Sequence, residues 1–306
     1  MTEELYKRHR PTKFSELVGQ DSAVKELTAM GRNNAIPHFL LFIGPSGCGK
    51  TTIARILKNK LKCSDADFKE MNAAKDRGID MVREIDSRVG LAPMAGPCRI
   101  WLIDECHQMT AQAMESILKL LEDTPKHAYF FLCTTDPSKL KRTIVTRATK
   151  VKVVLIGDKE MTGLVNRVAA AEKKQIEEDV VAKIVSVAEG SARMALVLLH
   201  QVIDLATEED KLEALERESA QRSGFELAQA LVRNAKWPEI AAILGNCEDD
   251  PETVRRIVLG YFTKVALGQK TPKRAVGIIE AFLDPYFNTG KAGLVQSCAV
   301  VCFGGV

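Results

Sequence analysis

Short apolar runs alternate with helical patterns through the first half of the chain. Within each run apolar residues follow one another without alternation, which is typical of strands covered on both faces. The runs occupy residues 39–43, 99–103, 129–133 and 151–155. Between the second and third runs, Ala113, Ile117 and Leu121 share one helical face. This order predicts a parallel β-sheet covered by crossover helices.

After Gly157 the strand signals stop and the chain has the periodicity of helices. Two helical faces are formed by Met161, Leu164, Val165 and Val168, and by Val180, Ile184, Val185 and Ala188. Ser191 is placed to cap the next helix. Further on, Asp250-Pro251 and Thr271-Pro272 each predict a helix start with a capping residue and proline at N1.

These patterns divide the chain into three predicted domains. Residues 1–157 form an α/β domain, residues 158–207 a small helical domain and residues 208–306 an all-helical domain. The charged stretch at residues 207–222 is expected at the seam between the second and third domains.

Composition places the chain among soluble globular proteins, with 46% hydrophobic and 27% charged residues in 306. The net charge is only +3, so nucleic-acid contact would need a local basic stripe. The 8 cysteines form no C-x-x-C pair, which favours a reducing compartment. Residues 1–10 do not read as a secretory signal, and the apolar tail at residues 294–306 is too short to span a bilayer. We therefore expect a cytoplasmic protein without a membrane segment.

The strongest chemical signal is a glycine-rich loop between a predicted strand and an amphipathic helix. It reads Gly44-Pro45-Ser46-Gly47-Cys48-Gly49-Lys50-Thr51-Thr52. Glycines let backbone amides approach phosphate oxygens, and the helix start adds its dipole. We expect Lys50 to reach the β- and γ-phosphates and Thr51 to ligate Mg²⁺.

Two acids end the run at residues 99–103. Asp104 is expected to orient Mg²⁺, and Glu105 to activate water. The neighbouring Cys106 and His107 are interpreted as bystanders. Thr135, after the run at residues 129–133, is a candidate for positioning that water, and a turn threonine explains it equally well.

The order of these residues resembles the ATPase subunits of sliding-clamp loaders, which are AAA+ proteins. The resemblance is to replication factor C small subunits and bacterial DNA polymerase III γ/τ, and it runs from about Leu5 to Ala206. It implies an AAA+ core with a parallel sheet and phosphate loop, a helical lid over residues 158–207 and an all-α collar over residues 208–306.

The same resemblance implies an adenine-side segment. The residues that carry it are Arg8-His9-Arg10-Pro11, followed by Phe14, Leu17, Val18, Gly19 and Gln20. It implies that Tyr6, Arg10, Pro11 and Val18 border the base. In the lid, the run Gly190–Leu196 resembles a sensor motif whose Arg193 touches the nucleotide.

Two further segments resemble functional parts of the family. The stretch from Asn72 to Asp80 resembles the start of a DNA-facing helix, with candidate contacts at Lys75, Arg77, Ile79 and Arg83. A solvated, salt-bridged helix start is the alternative.

The other segment, Thr146-Arg147-Ala148, stands where the family usually has Ser-Arg-Cys. It implies that Arg147 acts in catalysis as an arginine finger on the neighbouring subunit's γ-phosphate. A structural arginine before a strand competes with this interpretation.

The resemblance implies ATP and Mg²⁺ as cofactors, and a sliding clamp, primer-template DNA and other loader subunits, in a pentamer, as partners. No zinc is expected, because the interval that carries four cysteines in γ/τ chains holds only Cys63 and Cys98 here. This and the short length fit a viral or replication factor C-like loader, which would work in the host cytoplasm if viral.

Two alternatives stay open. Another AAA+ machine, such as a Holliday-junction branch-migration motor or a helicase loader, is one. A branch-migration motor should end in a winged helix with strand signals, whereas residues 208–306 read as helices. The other is a structural subunit that binds nucleotide without hydrolysing it.

Overall fold

The computed structural model describes residues 3–32, 36–76, 78–269 and 272–304. The chain divides into two compact units, Met1–Asp204 and Leu205–Val306. The described residues include no helix long and apolar enough to cross a membrane.

The first unit is built on a five-stranded sheet in the order β2-β3-β4-β1-β5, with every neighbouring pair parallel. Its strands are β1 (Phe39–Ile43), β2 (Phe68–Asn72), β3 (Arg99–Asp104), β4 (Ala128–Thr134) and β5 (Thr149–Lys152). Its helices are α1 (Leu5–Arg8), α2 (Asp21–Arg32), α3 (Lys50–Lys60), α4 (Ile79–Val89), α5 (Ala111–Glu122), α6 (Arg142–Arg147), α7 (Asp158–Ala171), α8 (Glu178–Ala188) and α9 (Ala192–Val202). The predicted parallel α/β sheet is confirmed.

Helices cover both faces of this sheet. Leu41, Trp101 and Phe130 point to the face covered by α4, α5 and α6, and the Trp101 and Phe130 rings stack at 5.3 Å. Leu40 and Phe131 point to the other face, against α2 and α3. Successive strand residues alternate between faces, so strands buried on both sides need apolar residues throughout. This is why β1, β3 and β4 were readable as unbroken apolar runs.

The two edge strands differ from the predictions. β2 was not predicted, because Lys69 and Glu70 are exposed in its middle and break the apolar run. β5 lies at Thr149–Lys152 instead of residues 151–155. Its apolar run continues past the strand, and Val154 and Leu155 are partly exposed beyond it. An edge strand has one paired neighbour and carries solvent-facing charge, so apolar content marks it poorly.

Helices α7, α8 and α9 follow the sheet and pack on one another, and α9 also contacts α1. The apolar faces predicted for α7 and α8 are buried. The predicted cap of α9 is confirmed, since the Ser191 hydroxyl accepts from the Met194 backbone N–H at 3.3 Å.

The second unit consists of helices in its described residues, packed around an apolar core of their own. They are α10 (Glu208–Val232), α11 (Trp237–Asn246), α12 (Pro251–Leu267), α13 (Lys273–Ala281) and α14 (Lys291–Phe303). The charged stretch at residues 207–222 forms the cap and first half of α10.

One of the two predicted proline starts is confirmed. Asp250 caps α12 through the Thr253 backbone N–H at 2.8 Å, with Pro251 in the first turn. At the other site Pro272 occupies the N-cap and α13 begins one residue later, so the N1 prediction is wrong. Thr271 lies outside the described residues.

A buried carboxylate joins α12 to the segment after α13. Glu252 accepts from Arg255 Nη2 at 2.6 Å, from Arg256 Nε at 3.0 Å and from the Tyr286 backbone N–H at 2.9 Å. Arg255 also donates to the Phe282 carbonyl at 2.8 Å. The Arg255 hydrogen bonds, with that of the Tyr286 amide, lower the pKa of Glu252 from 4.5 to about 2.

We expect Glu252→Gln to lower the free energy of unfolding near neutral pH by about 3 kcal/mol. The folded state holds this pKa below its unfolded value, so the stabilisation is complete above about pH 4.5 and is lost as the pH falls towards 2. The difference between variant and wild type should shrink over that window in urea unfolding followed by circular dichroism. Glu239→Gln, which removes an exposed pair with Arg233, should cost under about 1 kcal/mol. A pH-independent difference for Glu252→Gln would contradict this account.

Candidate active site

The carboxyl ends of the parallel strands meet at one edge of the sheet, where α/β proteins bind ligands. The glycine-rich loop follows β1, Asp104 ends β3, and Thr135 follows β4. β4 lies between β1 and β3, with Ile43 paired to Thr134. The fold therefore gathers segments that are far apart in sequence.

A cavity opens at this edge. Of the predicted site residues, it is lined by Tyr6, Arg10, Pro11, Val18, Ser46, Gly47, Cys48, Gly49, Lys50, Thr51, Thr52, Asp104, Glu105 and Arg193. The prediction omitted His9, Glu16, Leu17, Gln20, Ile156, Leu164, Arg167, Ala192 and Leu196, which also line it. Five of them lie in the segments already recognised from sequence, and no local motif marks the other four, Glu16, Ile156, Leu164 and Arg167.

The glycine-rich loop leads into α3, which begins at Lys50. Gly49 occupies the N-cap with φ of 108°, in the left-handed range that glycine tolerates. The first amides of a helix lack intrahelical partners, and here they lie beside the cavity. This geometry suits an anion such as a phosphate group.

Lys50 is 5% exposed. Its Nζ donates to the carbonyls of Gly44 at 2.8 Å and Pro45 at 2.7 Å. An ammonium has three N–H donors, so Lys50 can hold both loop carbonyls and still donate to an oxygen in the cavity. Gly44 and Pro45 thus contribute to the site through their backbone, outside the cavity wall.

Gly47 brings the loop against the start of α9. Its φ is 73°, and a Cβ built on it would lie 2.1 Å from the Ser191 hydroxyl oxygen. That hydroxyl caps α9, the helix that carries Arg193. The missing side chain at residue 47 therefore permits contact between the loop and this helix.

Thr51 and Asp104 meet across the cavity floor. The Thr51 hydroxyl donates to Asp104 Oδ2 at 3.1 Å, while Asp104 Oδ1 accepts from the Glu105 backbone N–H at 2.9 Å. Hydroxyl and carboxylate oxygens are ligands that Mg²⁺ prefers, and Mg²⁺ usually keeps several waters alongside one or two carboxylates. This pair of oxygens fits such an ion.

Glu105 sits in a strained backbone conformation. Its φ of 50° and ψ of 40° lie in the left-handed region, which non-glycine residues adopt uncommonly. Its carboxylate is partly exposed to the cavity. The Thr135 hydroxyl lies 3.5 Å from Glu105 Oε2, so Thr135 contacts the carboxylate without lining the cavity.

The two residues interpreted as bystanders behave differently. Cys106 is fully buried, and burial raises the pKa of its thiol well above the ordinary range. His107 instead lies with Nδ1 3.4 Å from Glu105 Oε2. Sequence reasoning missed this contact because a short 3₁₀ turn, Cys106–Gln108, folds the ring back towards the strand ends.

The side chains of Arg10 and Arg193 also line the cavity. The Arg193 guanidinium carbon lies 5.8 Å from the centre of the Tyr6 ring. Burial, followed by the charges of Arg55 and Arg193, lowers the pKa of Arg10. Guanidinium groups held this close together favour an anionic ligand.

Two contacts fix the N-terminal segment around the cavity. The Gln20 amide donates to the Val154 carbonyl at 2.7 Å and accepts from the Val154 N–H at 3.1 Å. On the other side His9 Nε2 lies 2.5 Å from Glu172 Oε1, just beyond α7. The segment is thereby attached to both the sheet and the helices that follow it.

The remaining predicted residues lie away from the cavity. Arg147 is exposed on α6 and pairs with Glu122 Oε1 at 2.6 Å. Lys75 and Arg83 are exposed, Arg83 paired with Asp80 at 2.9 Å, and α4 begins at Ile79 as predicted. Arg77 lies outside the described residues.

Residues 66–155 match a protein-family model described as DNA polymerase III, delta subunit. The chain is 33% identical to DNA polymerase III subunit tau of Bacillus subtilis over 230 residues, which is 68% of this chain and 41% of the relative. It is 31% identical to subunit gamma/tau of Mycobacterium tuberculosis over 222 residues, covering 65% of this chain and 38% of the relative. The chain thus spans about two fifths of the length of these relatives.

Among solved structures, the Thermotoga maritima RuvB Holliday junction branch migration motor superposes with a TM-score of 0.59. Its sequence identity is 19%, and the match covers 84% of this chain and 91% of that chain. A similarity at this identity shows a shared fold. The five-stranded parallel sheet and its phosphate loop are those of an AAA+ core.

We expect Gly47→Ala to cost about 1–3 kcal/mol, divided between unfolding and triphosphate binding, because alanine is strained at positive φ. The new methyl group would also displace the Ser191 hydroxyl from its cap. Thermal unfolding and titration with a fluorescent nucleoside triphosphate measure the two parts.

Gly163→Ala is the matched control. A Cβ at this exposed position on α7 meets nothing within 4 Å, so alanine should stabilise the helix by about 0.5–1 kcal/mol. Unchanged melting and affinity in Gly47→Ala would show that the loop does not need glycine there.

Proposed function

The chain belongs to the clamp-loader family of AAA+ subunits, and from this premise we propose that it is an ATP-hydrolysing motor subunit that opens a DNA sliding clamp and places it on primer-template DNA. One observation carries the proposal: Lys50, the Thr51–Asp104 pair and Glu105 line a single cavity at the carboxyl edge of the sheet. A site that only held nucleotide would not need a carboxylate beside the metal-binding oxygens.

The amides of residues 46–51 and the Lys50 ammonium would bind the β- and γ-phosphates. Thr51 and Asp104 would hold Mg²⁺, which when bound neutralises charge on the phosphate oxygens. Glu105 would accept a proton from the attacking water, with Thr135 helping to orient that water. The Thr135 contact to Glu105 supports this role over that of a turn threonine.

Tyr6, Arg10, Pro11 and Val18 would border adenine, since they line the same cavity and belong to the segment attached by Gln20. Arg193 would reach the phosphates from α9. A Cβ built on Gly47 would lie 3.5 Å from the Arg193 Cβ, and this closeness to the glycine-rich loop supports the role.

We propose residues 158–207 as the lid and residues 208–306 as the collar of a pentamer that contains further loader subunits. Arg147 would act on the neighbouring subunit's γ-phosphate. Its exposure on α6, outside the cavity of its own subunit, supports action in trans.

The start of α4 would face DNA. Among the described residues no side chain caps this helix, whose N-cap is Gly78, so its first amides are available to a phosphate. Exposed Lys75 and Arg83 add positive charge nearby, and Arg77 belongs to the same segment. Such contacts would position the duplex without reading its sequence.

A branch-migration motor is the second candidate, favoured by the similarity of fold to RuvB. The described part of residues 205–306 contains helices and no strands, which argues against a terminal winged helix. The relatives with the higher sequence identity are also polymerase III subunits.

The decisive test is ATP turnover by the full chain and its partner subunits with primed-template DNA, with and without the clamp. We expect the two together to stimulate turnover, Lys50→Ala to abolish ATP binding, and Glu105→Gln to bind ATP but lose about 10²–10⁴-fold in rate. Stimulation by four-way junctions alone would select the branch-migration motor. Full turnover by Glu105→Gln would contradict the proposed site.

Arg147→Ala should leave ATP affinity unchanged and slow hydrolysis by about 10³-fold or more in the assembly. Arg142→Ala, exposed on the same helix, is the matched control and should hydrolyse ATP normally. Mixing Arg147→Ala with Glu105→Gln chains should restore activity, because an intact Glu105 then meets an intact Arg147 from its neighbour. Failure of the mixture to recover while each variant assembles normally would contradict action in trans.

A further inference from the structure

His107 is held in one orientation by contacts on both ring nitrogens. Its side chain is 6% exposed, in the short turn that follows β3. Nδ1 lies 3.2 Å from the Thr134 hydroxyl and 3.4 Å from Glu105 Oε2. Nε2 lies 3.1 Å from Gln108 Nε2.

These partners select a tautomer. The carboxylate of Glu105 can only accept, so the ring proton is assigned to Nδ1, which leaves Nε2 to accept from the Gln108 amide. The Nδ1–H therefore donates to the Thr134 hydroxyl at 3.2 Å, and Glu105 Oε2 lies 3.4 Å from the same nitrogen. Thr134 can accept this proton, and it is itself fixed by accepting from the Asp136 backbone N–H at 3.0 Å.

The carboxylate of Glu105 has little else to hold it. Its backbone is in the left-handed region, and its two side-chain contacts are both long, at 3.4 Å to His107 Nδ1 and 3.5 Å to the Thr135 hydroxyl. A side chain without lateral support adopts several rotamers, and a misplacement of about 1 Å can cost about 100-fold in rate.

We propose that His107 is the positioning residue for Glu105: its hydrogen bond to Thr134 at the end of β4 holds Nδ1 at 3.4 Å from the carboxylate. The inference rests on the proposed function, in which Glu105 accepts a proton from the attacking water. Thr134 directly precedes Thr135 and pairs with Ile43 ahead of the glycine-rich loop. His107 thus connects the general base to the strand that also carries the proposed water-orienting residue.

Two amide substitutions separate this role from simple space-filling. The Asn side chain places its N–H near the position of Nδ1, and Gln places its N–H near Nε2. We expect His107→Asn to keep at least about one third of the wild-type kcat for ATP, and His107→Gln and His107→Leu to lose about 10- to 100-fold. KM and the Kd for ATP should change by less than about twofold in all three, because ground-state binding does not involve the link.

The measurement is single-turnover hydrolysis by the full chain in its assembly, with ATP affinity and melting temperature recorded for each variant. His127→Leu is the matched control, since His127 lies at the opposite end of β4 and bonds the Val89 carbonyl at 3.1 Å. It should leave kcat unchanged. If His107→Leu fails to fold, the comparison of Asn with Gln decides.

Glu105→Gln in the same assay separates the two hypotheses. If Glu105→Gln hydrolyses ATP at the wild-type rate, Glu105 is not the general base and the proposed function is wrong. If it stalls while His107→Leu keeps wild-type kcat, or while Asn and Gln lose activity equally, His107 does not position Glu105. A loss confined to ATP affinity would also overturn the inference.

Discussion

Parallel pairing of β1, β4 and β3 is the constraint on which the site depends. Because all three strands run the same way, the glycine-rich loop, Thr135 and the Asp104–Glu105 pair emerge at one edge. The pairing in turn depends on apolar packing on both faces of the sheet, including the stacked rings of Trp101 and Phe130. A shift of β4 against either neighbour would move Thr135 away from the Glu105 carboxylate that it contacts.

The N-terminal segment and the start of α9, which are not part of the sheet, also line the cavity. Gln20 attaches the N-terminal segment beside β5, and Gly47 allows the loop to contact Ser191. Tyr6 meets Arg193 across the opening. A ligand that moves the loop must therefore also move α9 or break its cap. Conformational coupling of this kind follows from differential contacts in the bound and free states.

Much of this arrangement could be predicted from sequence, and the reasons are local. The glycine spacing from Gly44 to Thr52, followed by lysine and threonine, is typical of loops that bind phosphate. The central strands are marked by unbroken apolar runs. The edge strand β2 could not be found, because its solvent-facing Lys69 and Glu70 resemble a loop. The role of His107 was also missed, since a contact through the turn after β3 depends on the path of that turn. Cavity residues such as Leu164 and Ile156 carry ordinary core signals, and only the tertiary fold gives them a ligand-facing position.

At Glu105 the backbone conformation lowers stability, while the side chain is the one proposed to act in hydrolysis. A glycine there would relieve a left-handed conformation that costs other residues about 1 kcal/mol or more. The same change would delete the carboxylate facing the cavity. Under the proposed function, a substitution that relieves this backbone strain would therefore give a more stable protein without ATPase activity. An acidic residue is expected to remain at this position in an active chain, despite its cost in stability.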